Sequence, residues 1–199
     1  YSQEVSAQST HERMAFGQLR WRVERQRWRM QLLGKVQSSY DRYEDSAANT
    51  STGYLMNEYT QREGYLSASA EWDVTGWLTV DAAADGDLSR LQSNLGKRND
   101  VVRRSLMGVL AARVHHGPLE AKANILATSV VDGVIDLDTT PAYRRLSPYA
   151  ALMYTPLTGL TLRYFYKETF RVPNFSELYF FQSLPRNLRP EHAHQHNIG

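Results

Sequence analysis

Alternation of apolar and polar side chains between short turns is the feature that most constrains this sequence. Near the C-terminus, Leu160, Leu162 and Tyr164 alternate with polar or charged residues, and the alternation continues to Thr169. Side chains that change direction every second residue are typical of a β-strand with one face buried. A turn over residues 156–159 comes directly before this run. The pattern therefore predicts a hairpin turn followed by a strand over 160–169.

The same pattern recurs along most of the chain and predicts a regular antiparallel sheet. The predicted strands are 15–24, 28–43, 66–72, 78–85, 104–114, 119–125, 146–155 and 160–169. The stretch 104–114 is apolar on both faces and by periodicity alone could be a buried helix segment, but Gly108 and the turn that follows favour a strand. Short turns near Arg25, Thr75, Gly117 and Thr158 alternate with long polar loops over 44–60, 86–103 and 128–145, and residues 1–13 are also predicted to form a loop. The prediction is an all-β, antiparallel up-and-down fold of about eight strands.

Composition excludes several classes but leaves two β architectures open. The 199 residues include no Cys and carry a net charge of +2, which excludes a disulfide scaffold and argues against a dedicated nucleic-acid partner. A transmembrane barrel and a soluble β-sandwich both alternate in this way. Trp residues flank the first two turns, as the aromatic girdle of a membrane barrel would: Trp21, Trp28, Trp72 and Trp77. The tryptophans therefore favour the barrel.

A spaced motif near the C-terminus points to a family. Its positions are Phe170, Arg171, Pro173, Glu177, Leu178, Asn187, Pro190 and Glu191. In this order, after the strand over 160–169, they resemble a late part of the barrel of TonB-dependent outer-membrane receptors. The resemblance implies a structural role for these residues, with Arg171 and Glu177 forming a charged pair inside the barrel.

The resemblance implies a transmembrane barrel of roughly twenty-two strands, of which this chain is an arc. Residues 1–199 would be a partial barrel domain, with the plug domain and the TonB box outside this chain. Because open sheet edges are not tolerated in lipid, the segment is not expected to be a complete membrane unit. By this resemblance, short turns face the periplasm and long loops face the exterior of a Gram-negative cell.

The function implied is active uptake of a scarce nutrient, such as an iron–siderophore complex, haem or cobalamin, energised through TonB. The implied partners are outer-membrane lipid, the TonB complex through parts outside this chain, the nutrient and a possible surface lipoprotein. No resident cofactor is implied. A porin-like barrel and a secreted β-sandwich binding or adhesion module remain alternatives. An enzyme is not expected, because no catalytic motif has the required spacing.

Aromatic and basic residues in the predicted loops are the candidates for ligand contact. Ligand sites combine aromatic surface with a few polar groups, and loops on a rigid wall often carry recognition. The candidates are Tyr54, Met56, Tyr59, Tyr143, Arg144, Arg145, Tyr179 and Phe180.

Three histidines, His192, His194 and His196, have a spacing of two and would share one face of a strand. Imidazoles are ligands for transition metals, so a metal site is one interpretation. A polar strand that faces water inside the barrel is the other.

Overall fold

The computed structural model describes residues 8–46, 53–95, 100–134, 142–174, 177–178 and 188–199. Nine β-strands make up nearly all of this part of the chain. They are β1 (Gln8–Glu24), β2 (Trp28–Asp45), β3 (Leu55–Asp73), β4 (Leu78–Ser93), β5 (Asp100–His116), β6 (Leu119–Val134), β7 (Ala142–Leu157), β8 (Leu160–Arg171) and β9 (Glu191–Ile198).

The nine strands form one sheet in which spatial order follows chain order from β1 to β9. Every neighbouring pair is antiparallel. The predicted all-β, up-and-down fold is therefore confirmed, with nine described strands where about eight were expected. Because these strands lie in one sheet, the described residues do not form a two-sheet sandwich. They also contain no helix of the length and apolarity that a bilayer span requires.

The strands are longer than the sequence predicts, and the predicted loops over 44–60, 86–103 and 128–145 are correspondingly wrong. Residues 55–60, 86–93, 100–103, 128–134 and 142–145 belong to strands, and β1 begins at Gln8 inside another predicted loop. In these stretches apolar residues occur on both faces, as Val101 and Val102 do, so the stretches lack the apolar alternation on which the prediction depends. Backbone pairing continues there because it needs only a neighbouring strand.

Four short connections join the strands at one end of the sheet, which we call the turn end; the opposite end is the loop end. The turns lie at the predicted places, near Arg25, Thr75, Gly117 and Thr158. Gly117 and Gly159 have φ angles of 55° and 88°. Residues with a side chain rarely adopt this region, so glycine is the residue that fits these tight hairpins.

One face of the sheet, the apolar face, carries most of the exposed large apolar side chains of the strands. Register places Trp28 opposite Trp72, and Leu110 opposite Ile125. These side chains are not packed into a core: Leu66 and Leu110 are each 63% exposed. Other exposed members are Trp21, Trp28, Leu32, Trp72, Leu106, Ile125, Leu152 and Leu162. The apolar residues of this sheet therefore form a continuous surface.

The opposite face, the polar face, carries charged residues and most of the buried side chains. Near the turn end, Arg29 pairs with Glu71 and, at 3.0 Å, with Asp73. The buried residues on this face lie toward the loop end: Asp45, Tyr59, Ser89, Leu91, Val101, Val130, Asp132 and Ser147. The small core of the described fold is therefore in the loop-end half of the polar face.

Pro148 lies inside β7, although proline in a sheet is usually confined to an edge strand, the first residue of a strand or a bulge. Its partner on β6 is Ile125, whereas the β7–β8 register runs from Leu157 only as far as Tyr149. Pro148 is outside the paired part of β7 and β8, so its missing N–H removes no hydrogen bond between these two strands over residues 149–157. The register shift in β7 lies between Tyr154 and Leu157.

Candidate ligand-binding wall

A buried ion pair is the centre of the loop-end half of the polar face. Register places Arg103 of β5 opposite Asp132 of β6. The guanidinium donates from Nε to Asp132 Oδ1 at 2.6 Å and from a terminal nitrogen to Oδ2 at 2.7 Å. The two side chains are 12% and 1% exposed. This two-point geometry is the strong form of the arginine–carboxylate bond.

Arg103 also binds the backbone of the segment that follows β8. Its other terminal nitrogen donates to the carbonyl oxygen of Pro173 at 2.8 Å. The two residues are 70 positions apart, and β8 lies three strands away from β5. Pro173, two residues beyond the end of β8, therefore lies at the polar face, where the side chain of Arg103 binds its carbonyl.

The same segment makes a capped turn built from motif residues. The Asn174 N–H donates to Glu177 Oε2 at 2.8 Å, and the Glu177 N–H donates to Asn174 Oδ1 at 2.8 Å. This reciprocal arrangement is a capping box with Asn174 as the N-cap. Arg171 donates to Glu177 and also, at 3.2 Å, to Glu191. Three separated positions of the motif thus meet at one point beyond the end of β8.

Acidification is expected to loosen this turn. Arg171, and then the Asn174 amide, hold the pKa of Glu177 below its usual value. A lowered folded-state pKa gives stability that is present above the unfolded-state pKa and is lost as pH falls through the folded-state value. We therefore expect the hydrogen-exchange protection factors of the Glu177 and Leu178 amides to fall as the pH drops from the unfolded-state pKa of Glu177 to its lower folded-state pKa.

The Glu177→Gln variant is the control for this pH dependence. Glutamine keeps the acceptor that the capping box needs but loses the charge that attracts Arg171. Its protection factors should be lower than those of the parent protein at neutral pH and should not change with acidification. A parent protein whose protection factors at Glu177 and Leu178 are flat with pH would contradict the assignment.

The predicted ligand residues near β3 do not form one cluster. Tyr54 lies just before the strand, and its hydroxyl donates to Glu44 at 3.0 Å. Met56 is on the apolar-face side, opposite Glu44. Tyr59 is on the polar face and only 7% exposed. The loop placement expected for Met56 and Tyr59 is wrong, because β3 begins at Leu55.

Residues 143–145 lie within β7 rather than in a loop, and consecutive strand positions face opposite ways. Tyr143 and Arg145 are on the polar face, where their partners are Val130 and Thr128. A terminal nitrogen of the Arg145 guanidinium also donates to Glu168 Oε2 at 3.2 Å. Arg144 is exposed on the opposite side of the sheet. The remaining candidates, Tyr179 and Phe180, lie outside the described residues.

The three histidines share one side of β9, as predicted, but it is the side continuous with the apolar face. His196 is opposite Tyr166 and 3.0 Å from the hydroxyl of Tyr164. His194 is 3.3 Å from the hydroxyl of Tyr166. Within the described part of the chain, no group of three or more His, Cys, Asp or Glu has an arrangement that could hold a metal ion. His194 and His196 are therefore paired with tyrosines, and His192 lies beside the ring of Phe170.

Other motif positions have packing roles where the structure describes them. Phe170 contacts the ring of His192, with 5.1 Å between the ring centres. Pro173 is buried, and Leu178 and Pro190 are half-buried. Asn187 lies outside the described residues.

Sequence reasoning missed Arg103 and Asp132, because both fell inside predicted loops. A signal for Arg103 was present in the two-residue period of a strand. Counting back from Arg113 in steps of two leads to Ser105 and Arg103 on the same face of β5. The interaction with Pro173 could not be found in this way, since it depends on the path of the chain after β8.

Comparison with known proteins gives a family for this arrangement. The model of the family described as "TonB dependent receptor-like, beta-barrel" matches residues 13–199. The chain therefore belongs to the TonB-dependent receptor β-barrel family, whose members are receptors and transporters of the Gram-negative outer membrane rather than enzymes. No curated protein sequence matches the chain.

Solved structures share the fold at low sequence identity. The copper transporter OprC superposes with a TM-score of 0.70 at 11% identity, covering 94% of this chain and 35% of that chain. The siderophore receptor PiuA from Acinetobacter baumannii gives 0.69 at 10% identity, covering 96% and 37%. BauA, the ferric preacinetobactin receptor from the same species, gives 0.65 at 10% identity, covering 98% and 36%. The present chain thus spans about a third of these proteins.

Family membership indicates which environment each face of the sheet contacts. In a transmembrane β-barrel the apolar side of each strand faces lipid and the polar side faces the interior. The exposed apolar face is therefore the lipid-facing wall, and the polar face with Arg103 and Asp132 is the interior wall. Pro173, which follows β8, is bound at this interior wall by Arg103.

Proposed function

We propose that the protein containing this chain is an outer-membrane receptor that takes up a scarce nutrient with energy supplied through TonB. The observation that carries the proposal is the family match over residues 13–199. The charged interior wall supports it, because a polar solute needs a hydrated path. In this proposal the TonB complex contacts the protein outside residues 1–199, and a surface lipoprotein is a further candidate partner.

We propose a metal chelate as the nutrient, with an iron–siderophore complex first and haem or cobalamin as the other cargoes to test. Support comes from the related structures, which include a ferric preacinetobactin receptor, a siderophore receptor and a copper transporter. Many such ligands are large, partly aromatic and anionic. An interior wall with tyrosines and arginines near the loop end has the chemistry to bind them.

Within the chain, Tyr59, Tyr143 and Arg145 are the proposed ligand contacts, because they lie on the interior side at the loop end. Tyr54, Tyr179 and Phe180 are proposed as further contacts from the connecting segments. Met56 and Arg144 lie on the other side of the sheet. They could contact a ligand only outside the barrel, where the strands extend past the lipid.

The test is a binding panel with the purified full-length receptor. Iron–siderophore complexes, haem, cobalamin and a copper complex are titrated, and uptake of the tightest binder is then measured in cells with and without TonB. We expect one iron complex to bind tightly and its uptake to stop without TonB. Tightest binding of haem or cobalamin would replace the siderophore assignment, and uptake that is independent of TonB would contradict the proposed function.

Replacing both Tyr143 and Arg145 with alanine is expected to weaken ligand binding by about tenfold or more, because one hydrogen bond to a charged group is worth about 1.5–3 kcal/mol. Titration of the ligand against the double variant measures the change. The matched control is Arg22→Ala, since Arg22 pairs with Glu24 at the turn end. Equal affinity in the parent protein and the double variant would remove these residues from the site.

A further inference from the structure

A phenol, a carboxylate and an imidazole meet on the outer side of β8 and β9; we call them the Tyr–Glu–His cluster. Register places Glu168 opposite His194, and Tyr166 lies on the same side of β8, two residues before Glu168. The Tyr166 hydroxyl donates to Glu168 Oε1 at 2.5 Å and lies 3.3 Å from His194 Nδ1. His194 Nδ1 is 3.6 Å from the same carboxylate oxygen. Three atoms that can each donate an electron pair therefore converge on one point.

The spacing of these three atoms fits the ligands of a single metal ion. Oxygen and nitrogen ligands lie about 2.0–2.2 Å from a transition-metal ion, so two ligands at an angle of about 90–110° are about 2.8–3.6 Å apart. Both distances from His194 Nδ1 fall in this range. The oxygens of Tyr166 and Glu168 have to separate by about 0.3 Å, because the ion replaces the proton between them.

Neighbouring side chains hold the Tyr–Glu–His cluster in this arrangement. Arg145 donates to Glu168 Oε2 at 3.2 Å, so Oε1 is the oxygen that faces the other two members. The ring of His196 contacts the ring of Tyr166, with 4.9 Å between the ring centres. The Glu168 side chain is 17% exposed, whereas His194 is 55% exposed. Partners of this kind orient the ligands of a metal site, and the exposed imidazole leaves a path for an entering ion.

The cluster lies near the loop-side boundary of the lipid. Glu168 is nine residues beyond Gly159, which is at the turn end. Nine residues of strand extend about 30 Å, or about 23 Å at a tilt of about 40°, and the apolar band of such barrels is about 25 Å high. Tyr164 and Phe170, on the same side of β8, are typical of the aromatic girdle at the headgroup level. Water and dissolved ions reach this level.

We propose that Tyr166, Glu168 and His194 bind a ferric ion, with Tyr166 as a phenolate. The phenolate and the carboxylate are two anionic oxygen ligands that suit a trivalent ion, and iron also accepts imidazole. The phenol proton leaves to water when the ion binds, and water or a small chelator fills the remaining coordination positions. Only one of the three histidines with a spacing of two takes part. The inference goes beyond the proposed function and rests on neither the nutrient nor TonB.

The experiment uses the full-length receptor, stripped of metal, in phosphatidylcholine nanodiscs. The probe is ferric nitrilotriacetate, and the readout is the visible absorption band that charge transfer from a phenolate to ferric iron produces. We expect the parent protein to develop this band on titration. Tyr166→Phe, which keeps the ring, should not develop it. Glu168→Gln and His194→Gln should each weaken iron binding by about tenfold or more, because loss of even an outer-shell partner has an effect of this size.

The matched controls are Tyr164→Phe and His192→Gln, since Tyr164 pairs with His196 and His192 lies beside Phe170. Both should show the band and the affinity of the parent protein. A parent protein without the band, or a Tyr166→Phe variant that retains it, would overturn the inference. Loss of the band in Tyr164→Phe as well would count against the assignment of Tyr166. Zinc ion is the comparison probe, and binding of zinc without binding of ferric iron would also overturn the inference.

Discussion

Leu110→Arg is expected to destabilise the folded barrel by about 2–4 kcal/mol, because it places a charge on the lipid side near the middle of the membrane. Leu110 is the central member of the apolar series on β5 that runs from Val114 to Leu106, and it is 63% exposed on that face. In a bilayer, this exposed surface of Leu110 contacts lipid acyl chains. The free energy of unfolding of the full-length receptor, measured by reversible denaturant titration in a bilayer, gives the size of the effect.

The neighbouring residue supplies the control. Ala111 is on the interior side of the same strand, opposite Asp81 and Asn124. Ala111→Arg adds the same charge one position away, but into a polar and hydrated surface. We expect a change below about 1 kcal/mol, since the cost of an arginine falls towards this range where water can reach it. Similar losses in the two variants would show that the apolar face is not in contact with lipid.

Asp132→Ala is expected to cost about 3–5 kcal/mol, because it leaves the guanidinium of Arg103 buried without its carboxylate. The pair is 12% and 1% exposed, and both of its hydrogen bonds are short and well aligned. The same denaturant titration of the full-length receptor measures the loss. Arg104→Ala is the matched control, because it removes an exposed arginine from the adjacent position.

A second variant separates the ion pair from the contact that it supports. In Arg103→Met/Asp132→Leu, apolar side chains replace both charges, and such replacements of buried pairs are often neutral or stabilising. We expect stability to recover while the bond to the Pro173 carbonyl is lost, so hydrogen exchange of the Asn174 and Glu177 amides should become faster. A loss below 1 kcal/mol in Asp132→Ala would contradict the structural role of the pair.

The part of the fold that could be predicted from the sequence is the part in contact with lipid. There, Leu160 and Leu162 alternate with Thr161 and Arg163, and the alternation predicts both the strand and its orientation. The turns could also be predicted, since Gly117 and Gly159 occur where the chain must reverse within two residues. Burial on one face and tight turns both leave a direct signal in residue order.

The remainder could not be predicted, for two physical reasons. Beyond the lipid boundary apolar residues occur on both sides of a strand, so alternation ceases although pairing continues. The sequence pattern therefore places Arg103 and Asp132 in loops. The second reason is that adjacent residues on a strand face opposite environments. Arg144 and Arg145 looked equivalent in a loop, but the register of β7 sends one toward lipid and the other inward.

The chain-order arrangement of the sheet has a consequence for how this wall is assembled. Each strand is paired with the strand that precedes it in the chain, so successive hairpins can form in order with small loop-closure costs. The bond between Arg103 and Pro173 spans 70 positions and departs from this scheme. It cannot form until β6, β7 and β8 are in place, so protection of the amides after β8 would report that this stretch of wall is complete.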